Sequence, residues 1–297
     1  MTTETRVPAA RVVVAAVDGS EHGTRALDYA VGEARRRELG LRILHVRPDA
    51  AGVSSMAPTI PDLTLHEFGV EVVKEAEDHA RTGGWTGPGL DVVLETGPRL
   101  PRLLHHLGDA ACIVVGRRAS AFEHFLTGST TSALAAHADV PVLCVPAGWP
   151  PEGRPGLVGC GLDSFDHAAD LLAVAFDQAR SRHARLEVLH AWRPVDPYDV
   201  AVRGPVKTGR ASDAVRDALS HYVERQPGSD VEWLVNAAYD RPAPALRELS
   251  SRADLLVLGR RGHASPPFRH LGPVTAALLR SAACPVLVVP EEHRASR

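Results

Sequence analysis

Lysine is nearly missing from this chain: Lys74 and Lys207 are the only two. Arginine carries the rest of the positive charge, with Lys+Arg at 33 against Asp+Glu at 36 and a formal net charge of −3. That balance provides no basic field to hold a phosphodiester backbone, which argues against DNA or RNA as a partner. Neither lysine lies in a glycine loop, so a Walker-type P-loop ATPase is excluded. The scarcity itself reads as coding bias in a GC-rich genome. No apolar run reaches the roughly 18 residues that a membrane span requires. The start, "MTTETRVPAAR", lacks the charged beginning and long apolar block of a signal peptide. The expectation is a cytoplasmic protein that makes no membrane contact. Only Cys112, Cys144, Cys160 and Cys284 are present, scattered singly with no Cys-x-x-Cys spacing. They suit a reducing compartment and the role of small buried hydrophobes, not disulfides or metal ligands. Zinc-ligand spacing and a Gly-x-Ser-x-Gly elbow are also missing.

What the chain does contain, it contains twice. Its 297 residues leave room for about two domains, and 44% hydrophobic with 23% charged residues is ordinary globular composition. "AAVDGSEHGTRAL" from Ala15 aligns with "CGLDSFDHAADLL" from Cys160, and "LRILHVRP" from Leu41 with "LEVLHAWRP" from Leu186. "IVVGRRA" from Ile113 aligns with "LVLGRRG" from Leu256, and "VPVLCVP" from Val140 with "CPVLVVP" from Cys284. The offset holds between 143 and 145 residues, the mark of a tandem duplication. The join, "PAGWPPEGRPG", is rich in Pro and Gly and suits a short stiff linker. The domains expected are therefore 1–147 and 156–297, with 148–155 between them.

Within each half, apolar runs alternate with helical periodicity. "RVVVAAVD" is a continuous β-branched run, hence a buried strand. The helix predicted after it, over 23–40, places Ala26, Leu27, Ala30, Val31 and Ala34 on one stripe. Strands follow at 41–48, 90–97, 112–116 and 140–146, with helices predicted over 66–82, 101–110 and 130–139. Strands separated by helices imply right-handed crossovers and a parallel sheet covered on both faces. The fold class expected is α/β: two tandem open doubly wound domains, each a five-stranded parallel sheet of order 3-2-1-4-5 with helices on both faces. Ligands of such domains sit beyond the carboxyl ends of the strands.

At that end the chain leaves a strand at Gly116 and enters a helix at Gly128-Ser129. Unpaired N–H groups and the positive end of the helix dipole converge there, a ready anion site. Gly128 lets the backbone approach a ligand, and Ser129 can cap the helix or donate to a phosphate. One isolated "GST" is as well explained by a capped turn. The second copy of the element, in the other half, favours the anion site.

The motif Gly-x2-Gly-x9-Gly-Ser/Thr after an apolar strand, followed by a helix and a "PVLVV" strand, resembles the universal stress proteins. A first strand ending in Asp-Gly-Ser, as in "VVVAAVDGS", is similar to theirs too. The resemblance covers essentially the whole chain as two such domains. It implies ATP bound through this loop in some members of the family and no nucleotide in others. In the first half Gly116, Gly128 and Ser129 match the motif; Ala119 replaces its second glycine, and only eight residues separate Ala119 from Gly128. In the second half Gly259, Gly262 and Gly272 keep the full spacing, but Pro273 stands where Ser or Thr is expected. Pro suits a first helical turn yet removes an N–H and a hydroxyl; Val274 and Thr275 still offer N–H groups, and Thr275 a hydroxyl.

The resemblance places Asp18 and Asp163 beside the nucleotide, with Ala16, Val17, Gly19, Gly161, Leu162 and Ser164 along the same wall. The carboxylates could accept from a ribose hydroxyl or help hold Mg2+; capping the following helix is the plainer role. Val46 and Ala191 would meet the adenine edge through backbone groups. Val115, Gly116, Arg118, Gly128, Ser129 and Thr130 would form the loop site of the first half, and Leu258, Gly259, Arg261, Gly262, Gly272, Val274 and Thr275 that of the second. Arg117, Arg118, Arg260 and Arg261 either reach phosphates or stand in solvent. His45 and His190, at equivalent strand positions, read as hydrogen-bonded, half-buried histidines, and His105 and His106 as ordinary helix residues. No catalytic residue and no metal ligand stands out. Three functions stay open: a nucleotide-binding stress or signalling module that holds ATP, with Mg2+ as phosphate's usual companion, without turning it over; a slow metal-dependent ATP hydrolase using Asp18 or Asp163; and an interaction scaffold that binds no nucleotide. The apolar last strands imply pairing of the two halves as a pseudo-dimer, and a homodimer of two chains is a further expectation.

Overall fold

Apolar β-branched runs become buried strands, as their composition requires. In the computed structural model, residues 11–49, 62–117, 128–150, 156–164, 168–191, 213–226, 230–260 and 271–290 are described. The first repeat runs β1 (Val12–Ala16), α1 (Glu21–Arg36), β2 (Gly40–Arg47), α2 (Asp62–Thr82), β3 (Leu90–Thr96), α3 (Arg99–His105), β4 (Ala110–Arg117), α4 (Gly128–His137) and β5 (Val142–Pro146). The second runs β6 (Leu157–Gly161), α5 (Ala168–Ser181), β7 (Arg185–Ala191), a helix over 213–224 (α6), β8 (Trp233–Ala238), α7 (Pro242–Arg252), β9 (Leu255–Gly259), α8 (Pro273–Ser281) and β10 (Val286–Val289). The strand order is 3-2-1-4-5 in the first repeat, and the second repeats that pattern as β8-β7-β6-β9-β10. Two compact units divide the chain: one ends at Gly116 and adds Ala138–Val140, the other holds Arg117–His137 and everything from Pro141 onward.

In the first unit β1, β2, β3 and β4 pair in parallel. Val13, Val14, Ala15, Ile43, Leu44, Ile113 and Val114 are wholly buried, as a sheet covered on both faces demands. The stripe of α1 seals one face: Ala26, Leu27, Ala30, Val31 and Ala34 are all buried. In the second unit β6 through β9 repeat the parallel pattern, and β10 adds β5 antiparallel, with Val286 opposite Cys144. Each of these two strands thereby covers an edge of the other. All four cysteines are free and buried, and burial pushes the Cys144 thiol up to about 11 and Cys160 to about 12. Among the described residues no helix is long and apolar enough to cross a membrane.

The helix expected over 23–40 is displaced at both ends. It begins two residues earlier, where Ser20 accepts from the Gly23 N–H and caps it. It stops at Arg36 because Glu38 turns into the left-handed region, at φ 54. The Leu39 N–H then closes on Ala34 O and the Glu38 N–H on Arg35 O, a Schellman ending. The second repeat ends α5 identically, with His183 at φ 51 and the Ala184 N–H on Ala179 O. Glycine normally takes this position, so its absence hid both endings. The double substitution Glu38→Gly and His183→Gly is expected to stabilise the protein by about 1 kcal/mol in all, read as a higher urea midpoint.

Each repeat holds an ion pair between its second strand and the residues just before its fourth strand. Arg42 of β2 donates to Asp109 Oδ1 at 2.7 Å and Oδ2 at 3.0 Å, to Asp91 Oδ2 at 2.6 Å and to the His106 carbonyl at 3.1 Å. Glu187 of β7 accepts from Arg252 at 2.5 and 2.6 Å. The hydrogen bond from Arg42 holds the Asp109 carboxyl below its ordinary range, and His106 does the same to Glu95. Both carboxyls bind protons less readily folded than unfolded. Their stabilisation is therefore complete above the ordinary carboxylate range, begins to fall there, and is lost as pH drops through the depressed folded-state values below it. Arg42→Met should flatten the acid limb of a stability–pH profile while leaving its neutral limb parallel to wild type.

Candidate functional site

Parallel strands deliver their carboxyl ends to one edge of the sheet, where Ala16, Val46 and Val115 lie near the ends of β1, β2 and β4. In the first unit β1 lies between β2 and β4, with Ala16 beside Leu44 and Val115. Chain order reverses at β1/β4, which is where doubly wound sheets open a crevice. Val17 is buried; its N–H bonds Leu44 O at 3.0 Å and its carbonyl lies 2.8 Å from His45 Nδ1. A carbonyl only accepts, so that Nδ1 carries the proton. Burial, above all, holds His45 below its usual pKa and keeps the ring neutral at pH 7. Val46 is buried at the end of β2.

Asp18 Oδ1 accepts from the Ser20 N–H at 3.2 Å and from the Ser20 hydroxyl at 2.5 Å. That hydroxyl caps α1, so one oxygen of Asp18 is engaged in starting the helix. Gly19, at φ 76, sits under α2: a Cβ there would lie 2.9 Å from Val72 Cγ2. Gly116 is tighter still, since a Cβ would lie 2.3 Å from the His22 carbonyl oxygen. Only glycine lets β4 end against the first turn of α1. Ser20, His22 and Gly23 are the residues sequence reasoning missed here; the Asp-Gly-Ser signature was the available sign.

Gly128, Ser129 and Thr130 are the first three residues of α4, with Thr130 half-buried. Arg118, Arg261 and Gly262 lie outside the described residues. Arg117 does not wait for a phosphate. Its guanidinium donates to Ala282 O at 2.7 Å and Leu279 O at 3.3 Å, on the carbonyls that end α8. Burial is the main cause that holds its pKa below the usual value.

The second unit rebuilds the edge with differences. Gly161 lies beside Leu189 and Leu258, Leu162 is buried, and its carbonyl is 2.9 Å from His190 Nδ1. His190 and Ala191 are half-buried, as is Ser164, while Asp163 is exposed. At the start of α8 the protein occupies part of its own anion site. The Gly272 N–H donates to Arg260 O at 2.9 Å, and the hydroxyl of Thr275, a residue 5% exposed, donates to Gly259 O at 2.8 Å. Pro273 opens the helix, so Val274 and Thr275 hold the amides that no carbonyl of α8 can take. The hydroxyl expected to serve a ligand there has its proton committed to the backbone.

The family model for the universal stress protein family matches residues 10–146 and again 157–290. The chain belongs to this family. Among its relatives, a universal stress protein of Mycobacterium bovis is 28% identical over 305 residues, covering 94% of this chain and 96% of that protein. One from Mycobacterium tuberculosis is 29% identical over 286 residues, covering 93% of this chain and 96% of its own length. The crystal structure of a universal stress protein from Archaeoglobus fulgidus superimposes with a TM-score of 0.71 at 17% identity, covering 94% of this chain and 96% of that one. That likeness is one of fold. In this universal stress protein, then, both repeats carry the family's strand layout.

Proposed function

We propose that this universal stress protein binds an adenine nucleotide, ATP foremost, and holds it without turnover as a stress-response signal. The observation that carries the reading is the pairing of β1 with β4, which sets Asp18 and Gly116 at the point where strand order reverses. Val17, Asp18, Gly19 and Val46 would wall the base and ribose. The amides of Gly128, Ser129 and Thr130 would meet the phosphates, whose charge the start of α4 favours. Mg2+, if it accompanies the phosphates, would share their oxygens. The repeats act as domains 1–147 and 156–297, joined through 148–155.

The first crevice is the stronger candidate. In the second, the engaged Gly272 amide, the engaged Thr275 hydroxyl and Pro273 together favour the scaffold role. The hydrolase alternative needs Asp18 for a metal and a water, and the bonds from Ser20 to that carboxylate weigh against it.

Calorimetry on the whole protein with ATP, ADP and AMP tests the proposal. Saturable binding of about one ATP per chain is expected. Ser129→Asp places a negative charge at the start of α4 and should weaken binding by about tenfold or more, an energy of about 1.4 kcal/mol. An absence of saturable binding by wild-type protein overturns the reading. Steady release of phosphate, lost in Asp18→Asn, would replace it with the hydrolase.

A further inference from the structure

Two mismatches between the repeats compensate each other. Arg42 aligns with Glu187 and Asp109 with Arg252, so the same ion pair is built twice with its signs exchanged. In both copies one partner is near the start of the second strand and the other stands just before the fourth. We infer that this reversed pair labels each repeat and keeps the two halves from exchanging strand–helix segments as the chain folds.

A tandem duplicate faces a near-degenerate choice while folding. Its two halves share strand order and offer similar apolar strands, so burial of hydrophobic surface barely separates correct assembly from exchanged assembly. Charge separates them sharply. A second strand from the first repeat, placed in the second unit, sets Arg42 against Arg252. The reciprocal exchange sets Glu187 against Asp109 and also against Asp91, the residue in register with Arg42. In the second unit that register position is Leu234, so Glu187 meets no second acid at home. Solvent relieves only one partner of each clash: the side chains of Glu187 and Arg42 are 3% and 15% exposed, against 48% for Arg252, 33% for Asp109 and 51% for Asp91. Like charges at hydrogen-bonding distance, one of each pair shielded from water, are disfavoured. Each native pair is satisfied within its own unit.

The test is refolding of the full-length chain from urea. The double variant E187R/R252D gives the second repeat the polarity of the first, so each native pair persists while the label disappears. Its control is R180D/D230R, which inverts an exposed pair of the same repeat, with side chains 49% and 71% exposed. The expected result is a urea midpoint close to that of wild type but a recovered native fraction about twofold or more lower, the remainder misassembled or aggregated. The control should refold as wild type does. Wild-type recovery by E187R/R252D overturns the inference. If that variant is too unstable to compare, E187K/R252E, which carries the same exchanged polarity, decides on the same readout: reduced recovery supports the inference, and wild-type recovery overturns it.

Discussion

Gly116→Ala is expected to destabilise the protein by about 3 kcal/mol, with a fall in Tm of about 10 °C. The added methyl would sit 2.3 Å from the carbonyl oxygen of His22 and 2.7 Å from its carbonyl carbon. Both atoms belong to the first turn of α1, whose cap is fixed by Ser20 and Asp18, so neither moves without shifting the helix off the sheet. Gly161→Ala is the informative contrast. There the methyl meets only side-chain atoms, Leu258 Cδ2 at 2.6 Å and Leu246 Cδ2 at 2.9 Å, and leucine ends can rotate. A cost of about 1 kcal/mol is expected. Gly108→Ala, with nothing within 4 Å of the new atom, should be close to neutral. Urea midpoints of the three variants check the order, and equal values for Gly116→Ala and Gly108→Ala would refute the close approach.

Arg252→Met should cost about 3 kcal/mol or more, because it strands a carboxylate that water hardly reaches. Glu187 is 3% exposed in its side chain, and both of its oxygens bond Arg252. Adding Glu187→Met should recover most of the loss, since an apolar pair carries no desolvation cost. The equivalent change in the first repeat, Arg42→Met, should cost less, about 1–2 kcal/mol. Its acids, Asp109 and Asp91, are 33% and 51% exposed and regain water when the arginine leaves. A double-mutant cycle by urea denaturation reads both cases. Equal losses in the two repeats would show that burial does not set the cost.

The nucleotide proposal depends on what surrounds these scaffolding contacts, and the two repeats differ there in ways the sequence shows unevenly. Pro273 is visible in the chain, and its lack of an N–H follows from its chemistry. The engagement of Gly272 with Arg260 O and of Thr275 with Gly259 O is not visible, because it depends on where β9 ends relative to α8. Arg117 is similar. Its place after a loop glycine suggests a phosphate ligand, but the structure brings the end of α8 within its reach. The reversed ion pair was present in the repeat alignment all along, as Arg42 against Glu187 and Asp109 against Arg252. A search for similarity between repeats passes over such positions because they differ.

By itself the sequence determined the duplication, the alternation of strand and helix, the parallel sheet and the edge at which a ligand would lie. These rest on periodicity and on the need to bury β-branched runs, both local properties of the chain. Tertiary structure alone decided the helix endings at Glu38 and His183, the glycine that must remain at 116 and the polar groups already engaged. The last two depend on distances between residues far apart in the chain, and the helix endings on a left-handed turn taken by residues other than glycine, which composition does not mark.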